Sequence, residues 1–249
     1  MRNPIYYIML LFLFYGVVEG QIRGDEAISH NKAGIGFMAS GRHDAAVTSF
    51  EAAIRIDPGF TIAHYNLGTA YFLLKQNEKA LRELHIAVEQ DPQYAKAFNQ
   101  LGVVYLELNR IDSSKKYFKI AIKLNANDAI ANYNLGCLYI REGQFGKAAI
   151  ALENAKRAKP QNNEIQLNLS YAYYRQKRYR QALDEVKIAV KLDSNDEHAQ
   201  LLLATLFILV GERSAAIAQY EAARALKPKL ATRIYNLIYA DKLLVLDQK

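Results

Sequence analysis

The sequence has no tryptophan, one cysteine and five prolines in 249 residues. A single cysteine, Cys137, leaves no intramolecular disulfide and no cysteine-based metal site to be built. Rare proline and sparse turn signals, against abundant alanine, leucine and lysine, leave little to interrupt helix. Catalytic spacings are also missing. The five histidines, His30, His43, His64, His85 and His198, make no HExxH pair. No glycine-rich phosphate loop, GxSxG element or Ser/His/Asp grouping occurs. Acidic residues are scattered as solvated charge. No catalytic residue, metal site or cofactor is therefore expected, and the chain is read as non-enzymatic.

Charge of one sign is in modest surplus. Lys and Arg number 32 against 25 Asp and Glu, a net +7. That favours acidic partners or an anionic surface but does not by itself indicate nucleic acid, and no nucleic-acid partner is expected. Apolar residues make up 51% of the chain, so it has the means to bury a core. Residues 5–18 form an uncharged apolar run behind Arg2, and the small residues Val18 and Gly20 precede Gln21. This order is that of a secretory signal peptide over residues 1–20, with the mature chain starting at Gln21. An uncleaved anchor is the alternative, although the run is shorter than the roughly 18–20 residues that span a bilayer. The expected location is the periplasm of a bacterium, or otherwise outside the cell.

Beyond residue 26 the chain repeats itself. Asp57-Pro58, Asp91-Pro92, Lys159-Pro160 and Lys227-Pro228 are separated by 34, 68 and 68 residues. Ala126 and Ser194 hold the two missing proline positions in register. In the same frame stand Ala33-Gly34, Leu67-Gly68, Leu101-Gly102, Leu135-Gly136, Leu169-Ser170 and Leu203-Ala204. Three residues on come Phe37, Tyr71, Tyr105, Tyr139, Tyr173 and Phe207, followed by Ala46, Ala80, Ser114, Ala148, Ala182 and Ala216. Phe50, Leu84, Phe118, Leu152, Val186 and Tyr220 then precede Ala53, Ala87, Ala121, Ala155, Ala189 and Ala223.

This pattern resembles the tetratricopeptide repeat (TPR) family over residues 27–230, as six units: 27–60, 61–94, 95–128, 129–162, 163–196 and 197–230. The resemblance implies an all-α, right-handed superhelical solenoid of helix–turn–helix repeats with a concave groove. Residues 21–26 would be a short N-terminal segment and 231–249 a capping helix running from Ala231 to about Leu246. Small residues let the two helices of a unit approach, and large ones fill the space between them. Turns inside the units are expected at Ser40-Gly41, Gln76-Asn77, Asn109-Arg110, Glu142-Gly143, Gln176-Lys177 and Val210-Gly211. The departure from the family is at its usual tryptophan position, here His30, His64, Phe98, Asn132, Gln166 and Gln200. That is expected to loosen the packing between neighbouring repeats.

The resemblance also places function in the groove, lined by the first helix of each unit. At the sixth position of each unit stand Lys32, Asn66, Gln100, Asn134, Asn168 and Leu202. The four central amides resemble the asparagine ladder of the O-linked N-acetylglucosamine transferase, and amides suit the N–H and C=O of an extended peptide. Tyr65, Phe72, Lys96, Tyr133, Tyr171 and Tyr174, with Ile62, Thr69, Ile130 and Cys137, would complete a peptide-binding groove. A carboxylate clamp of the chaperone-binding relatives would fall on Asn31, Ile35, Asn66, Lys96 and Gln100; only Asn66 and Lys96 fit it. Arg175, Lys177, Arg178 and Arg180 cluster at one turn, near Lys156, Arg157 and Lys159, where they could meet an anionic surface; a solvated turn is the plainer reading. In the last helix, Ile234, Leu237, Ile238 and Val245 would form one apolar face and Tyr235, Tyr239, Leu243 and Leu246 another, enough for a homo-oligomer or partner contact. The reading is a protein–protein scaffold in an export compartment, similar in architecture to periplasmic pilus-assembly factors. The alternatives are a self-assembling structural repeat protein and an enzyme's accessory domain.

Overall fold

The computed structural model describes residues 23–246; the expected signal segment lies outside them. Thirteen helices and no strand occur among the described residues. They divide into two compact units. The first, through Leu124, holds α1 (23–39), α2 (His43–Ile56), α3 (Thr61–Leu73), α4 (Asn77–Gln90), α5 (Ala95–Glu107) and α6 (Ile111–Leu124). The second, from Asn125, holds α7 (Ala129–Arg141), α8 (Phe145–Ala158), α9 (Asn163–Arg175), α10 (Tyr179–Leu192), α11 (Glu197–Leu209), α12 (Arg213–Leu226) and α13 (Pro228–Leu246). Odd-numbered helices up to α11 are the first (A) and even-numbered ones the second (B) of each hairpin. Helix α1 takes in residues 23–26, which the sequence reading set apart from the repeats.

Each hairpin closes at its eighth A-helix residue, or at Gly34 in α1. A Cβ on Gly34, Gly68, Gly102 or Gly136 would fall 2.5–2.7 Å from Phe50, Leu84, Phe118 or Leu152 of the paired B helix. Where the residue is Ser170, its hydroxyl donates to the Ala182 carbonyl at 2.8 Å, and Ser114 does the same to Gly102. Within each unit, every B helix that is followed by another hairpin also packs on the next A helix, and A helices touch one another more lightly (α3 with α5, α7 with α9, α9 with α11). One core is built around Phe50, Leu67, Leu84 and Leu101, another around Leu152, Leu169, Val186 and Leu203.

All six A–B turns have the same geometry. The second turn residue is left-handed: Gly41, Lys75, Asn109, Gly143, Lys177 and Gly211 have φ between +56° and +86°. The next N–H then bonds back to the A helix, as Gln76 does to Tyr71 at 2.8 Å and Glu212 to Phe207 at 2.7 Å, a Schellman closure. In the second and third repeats the turns therefore fall at Leu74-Lys75 and Leu108-Asn109, not at Gln76-Asn77 and Asn109-Arg110. No glycine marks the left-handed site there, and a non-glycine residue in that region is strained, by about 1–2 kcal/mol. Between repeats, Asp57, Asp91, Asn125 and Asp193 accept the N–H two residues on, fixing an Asx turn.

At four of the six positions where the family has tryptophan, a polar side chain takes up the contact with the loop. Buried His64, Asn132 and Gln166 reach back six residues to the carbonyls of Pro58, Ala126 and Pro160 at 3.0–3.1 Å, and Gln200 reaches that of Ser194. A polar side chain thus ties down the loop that an indole would only cover. A second set of ties joins three of the A helices to the previous B helix. Tyr71 donates to Glu51 at 2.8 Å, Tyr173 to Glu153, and Tyr105 Oη lies 3.1 Å from His85 Nε2. Burial, with the Glu51 bond, pushes the Tyr71 phenol up to about 12.

Helix α13 starts at Pro228, three residues before Ala231. Proline suits a first helical position because its missing N–H needs no partner there. It packs on α11 and α12. Its third, fourth, seventh and eleventh residues, Leu230, Ala231, Ile234 and Ile238, are buried, as at the same steps of α3. Tyr235 and Leu237, at the eighth and tenth steps, stay 43% and 36% exposed, because among the described residues no helix packs over them as α4 does over the same steps of α3. Leu237 therefore leaves the face assigned to it with Ile234 and Ile238; the side chains of Leu243, Val245 and Leu246 lie outside the described part.

Two stability experiments follow. Gly68→Ala is expected to cost about 1–3 kcal/mol in urea unfolding by overpacking Leu84. Gly36→Ala, where nothing lies within 4 Å of the added Cβ, is expected to gain up to about 1 kcal/mol from helix propensity. Equal effects would refute the close-approach account.

The second concerns His64, whose Nδ1 lies 2.8 Å from Glu83 and Nε2 3.1 Å from the Pro58 carbonyl. Only the imidazolium donates to both, and the Glu83 hydrogen bond raises its pKa above the ordinary value of 6.5. Its stabilisation is full below that value and is lost as pH rises through the raised pKa. Burial lowers the pKa of His85, so its contribution is present above 6.5 and lost as pH falls. His64→Gln keeps a donor to Pro58 but cannot titrate. Urea unfolding from about pH 5 to 9 should show the alkaline loss in the parent and not in His64→Gln.

Candidate functional site

An A helix hides the faces that meet its own B helix and the previous one. What remains is a stripe at the second, fifth, sixth, ninth, twelfth and thirteenth positions of the repeat, which lie within about 120° of one another at 100° per residue. In the first unit, the exposed large apolar residues are Ile28, Ile35, Ile62 and Leu73, all on this stripe. The sequence named Ile62 for the groove and Ile35 only as a position of the rejected clamp, and did not single out Ile28 or Leu73. Tyr65 lies half-buried, edge-on to Tyr94 with centroids 5.2 Å apart. Burial pushes the Tyr94 phenol up to about 12. Phe72 is half-buried, with the Lys75 ammonium 5.7 Å from its ring centroid. Lys96 is exposed and Gln100 half-buried on α5.

The amides are not equivalent. Asn66 Nδ2 donates to Asn31 Oδ1 at 2.9 Å, and Asn31 is only 6% exposed. Asn168 Nδ2 donates to Tyr133 Oη at 3.3 Å and to the Glu164 carbonyl at 3.0 Å. Both side-chain bonds span 35 residues, from the sixth position of one repeat to the fifth of the one before. They are struts between neighbouring A helices. Gln100 and Asn134 are half-buried and make no such bond. The burial of Asn31 also removes a member of the chaperone-type clamp.

In the second unit the stripe carries Ile130, Tyr133, Asn134 and Cys137 on α7, and Asn168, Tyr171 and Tyr174 on α9. Burial raises the Tyr133 phenol and the Cys137 thiol, so the cysteine is held as a thiol and not as a nucleophilic thiolate. Between α9 and α11 lies a depression of about 360 Å³ that brings together Asn168, Tyr171 and Tyr174 with Leu167, Leu201 and Leu202; His198 and Thr205 complete its wall. Its α11 residues were not singled out from the sequence apart from Leu202. An almost unbroken apolar run, residues 201–209, gives no sign of which side chains a neighbouring helix covers.

The basic cluster is only partly engaged. Arg178 donates to Gln181 at 2.6 Å and lies 4.3 Å from the Tyr173 ring centroid. Lys156 holds Glu185 through both carboxylate oxygens, at 2.6 and 2.8 Å. Arg175 donates to Tyr171 Oη at 2.7 Å. Lys177 and Arg180 are exposed. Among the described residues, no three His, Cys, Asp or Glu side chains converge to hold a metal ion, and no helix is long and apolar enough to cross a membrane.

Comparison with known proteins agrees with this geometry. No curated protein matches the chain. Among solved structures, PilF of Pseudomonas aeruginosa aligns with a TM-score of 0.73 at 19% identity, over 89% of this chain and 98% of that one. PilW, described as a widely conserved type IV pilus biogenesis factor, aligns at 0.66 and 23% identity over 84% and 98%. YrrB, described as a TPR protein with an unusual peptide-binding site, aligns at 0.57 and 19% over 75% and 95%. At such identities these likenesses concern the fold. The sequence itself is matched by two tetratricopeptide repeat models, one over residues 37–97 and 139–206 and the other over 99–163. With its hairpins closed at a small eighth residue and its turns sharing one left-handed geometry, the chain belongs to the tetratricopeptide repeat family.

Proposed function

We propose that this protein is a non-catalytic interaction scaffold that holds an extended segment of a partner protein against the A-helix faces of its units. The observation that carries this reading is the placement of Ile28, Ile35, Ile62 and Leu73. A monomer gains nothing from exposing four large apolar side chains along one stripe, whereas a partner's side chains would bury them. Gln100 and Asn134 supply the polar part, each with two donors and an acceptor for peptide backbone. Asn66 and Asn168 contribute indirectly, by spacing the A helices. YrrB, described by its peptide-binding site, and the pilus biogenesis factor PilW are neighbours of the kind this reading expects. The order of charge, apolar run and small residues over 1–20 supports work in an export compartment.

A second reading, self-association, has its own observation in the exposed Tyr235 and Leu237 of α13. Sedimentation at rising micromolar concentration tests it, and a constant monomer mass would end it.

The scaffold reading is tested with Ile35→Glu combined with Ile62→Glu. Both residues are 47% exposed, so the change in stability should stay within about 0.5 kcal/mol per site. Capture of partners from an extract of the native source should drop at least about tenfold, with helical circular dichroism unchanged. Undiminished capture by the folded double variant would move the binding site off this face.

A further inference from the structure

Resting on the reading of the A-helix faces as binding faces, we propose that the second unit selects a partner segment in which an Asp or Glu side chain neighbours a large apolar residue. Arg175 and Tyr171 bind the carboxylate and the α9–α11 depression takes the apolar side chain.

Arg175 is a charge held in place. Its guanidinium carbon lies 4.2 Å from the ring centroid of Phe145 and 5.6 Å from that of Tyr171, while Nη1 donates to Tyr171 Oη at 2.7 Å. The two rings stand edge to face, with centroids 6.2 Å apart. A side chain already ordered between two rings loses little freedom on binding a ligand. A guanidinium has five N–H groups, so one bond to Tyr171 leaves four to offer. Because Tyr171 accepts from Arg175, its own O–H remains to donate. Tyr171 also lines the depression. Tyr171, on the wall of the depression, and Arg175, hydrogen-bonded to it, therefore present O–H and N–H donors side by side, a set that matches a carboxylate, which only accepts.

The charges of the bordering helices point the same way. Helix α9 ends in Arg175, and its acidic residue Glu164 sits in its first turn, about 16 Å away at 1.5 Å per residue. Helix α11 has Glu197 in its first turn and no acidic or basic residue in its last. Lys177 and Arg178 follow in the adjoining turn and Arg180 in the first turn of α10. At the Arg175 end neither bordering helix supplies a carboxylate to neutralise the cation. The floor beside it, formed by Leu167, Leu201 and Leu202, suits an aliphatic or aromatic side chain from the same segment.

The test is panning of a phage-displayed library of random peptides, fused through their C-termini, on the purified full chain. Enriched peptides are expected to pair Asp or Glu with Leu, Ile, Met or Phe. For the best of them, made with both ends blocked, changing the acid to its amide should weaken binding by roughly tenfold or more, as charged hydrogen bonds to a guanidinium are lost. On Arg175→Gln that difference should vanish while the amide peptide binds as before. On Arg175→Lys, which keeps the charge but not the planar fork, it should return only in part. Enriched peptides with no acidic residue, an acid preference that survives in Arg175→Gln, or binders obtained only from a library with free C-termini would each overturn the proposal and leave the binding face itself standing. Enrichment of no peptide by either library would strike the binding-face reading as well.

Discussion

Every hairpin depends on one close approach. At the eighth A-helix position the paired B helix comes so near that a Cβ on Gly34, Gly68, Gly102 or Gly136 would overlap a side chain of Phe50, Leu84, Phe118 or Leu152. The glycine gives up helix propensity, and the large residue opposite gains full burial, which outweighs that loss by about a kilocalorie per mole or more. Ser170 shows that a slightly larger residue is accepted where the smaller Val186 stands at the matching B-helix position. Once that contact is set, the orientation of the hairpin follows, and with it the face each helix offers to its neighbours.

Two faces of an A helix are thereby committed to packing, one to its own B helix and one to the previous repeat. The third is left with no structural duty, and this is where the composition stops looking like a core. Unit one places bare isoleucines on it; unit two places tyrosines, leucines and an ordered arginine. The stripe is not wholly free of structural work, because Asn66 and Asn168 use it to reach the preceding A helix. An amide there acts as a strut in two repeats, through Asn66 and Asn168, whereas Gln100 and Asn134 make no such bond.

Much of this was legible in the residues. The period of 34 announced the hairpins, and the small and large positions announced which sides meet. The turns of the second and third repeats were not, because Lys75 and Asn109 occupy a left-handed site that glycine marks only in the first, fourth and sixth repeats. The missing tryptophans suggested loosened packing. In the fold, His64, Asn132 and Gln166 replace area with a hydrogen bond to a loop carbonyl, a trade that composition does not reveal.

The sequence by itself determined the repeat, the helical class and the absence of a catalytic motif, since each rests on spacing along the chain or on residue chemistry. Tertiary structure alone decided which amides are engaged, which isoleucines stay exposed and where α13 begins. A strut between residues 31 and 66 depends on the distance between two helix surfaces, and exposure depends on whether another helix arrives to cover a side chain. Tyr235 and Leu237 lie open at helix steps that are buried in α3, where α4 packs alongside, a fact of packing that no local pattern carries.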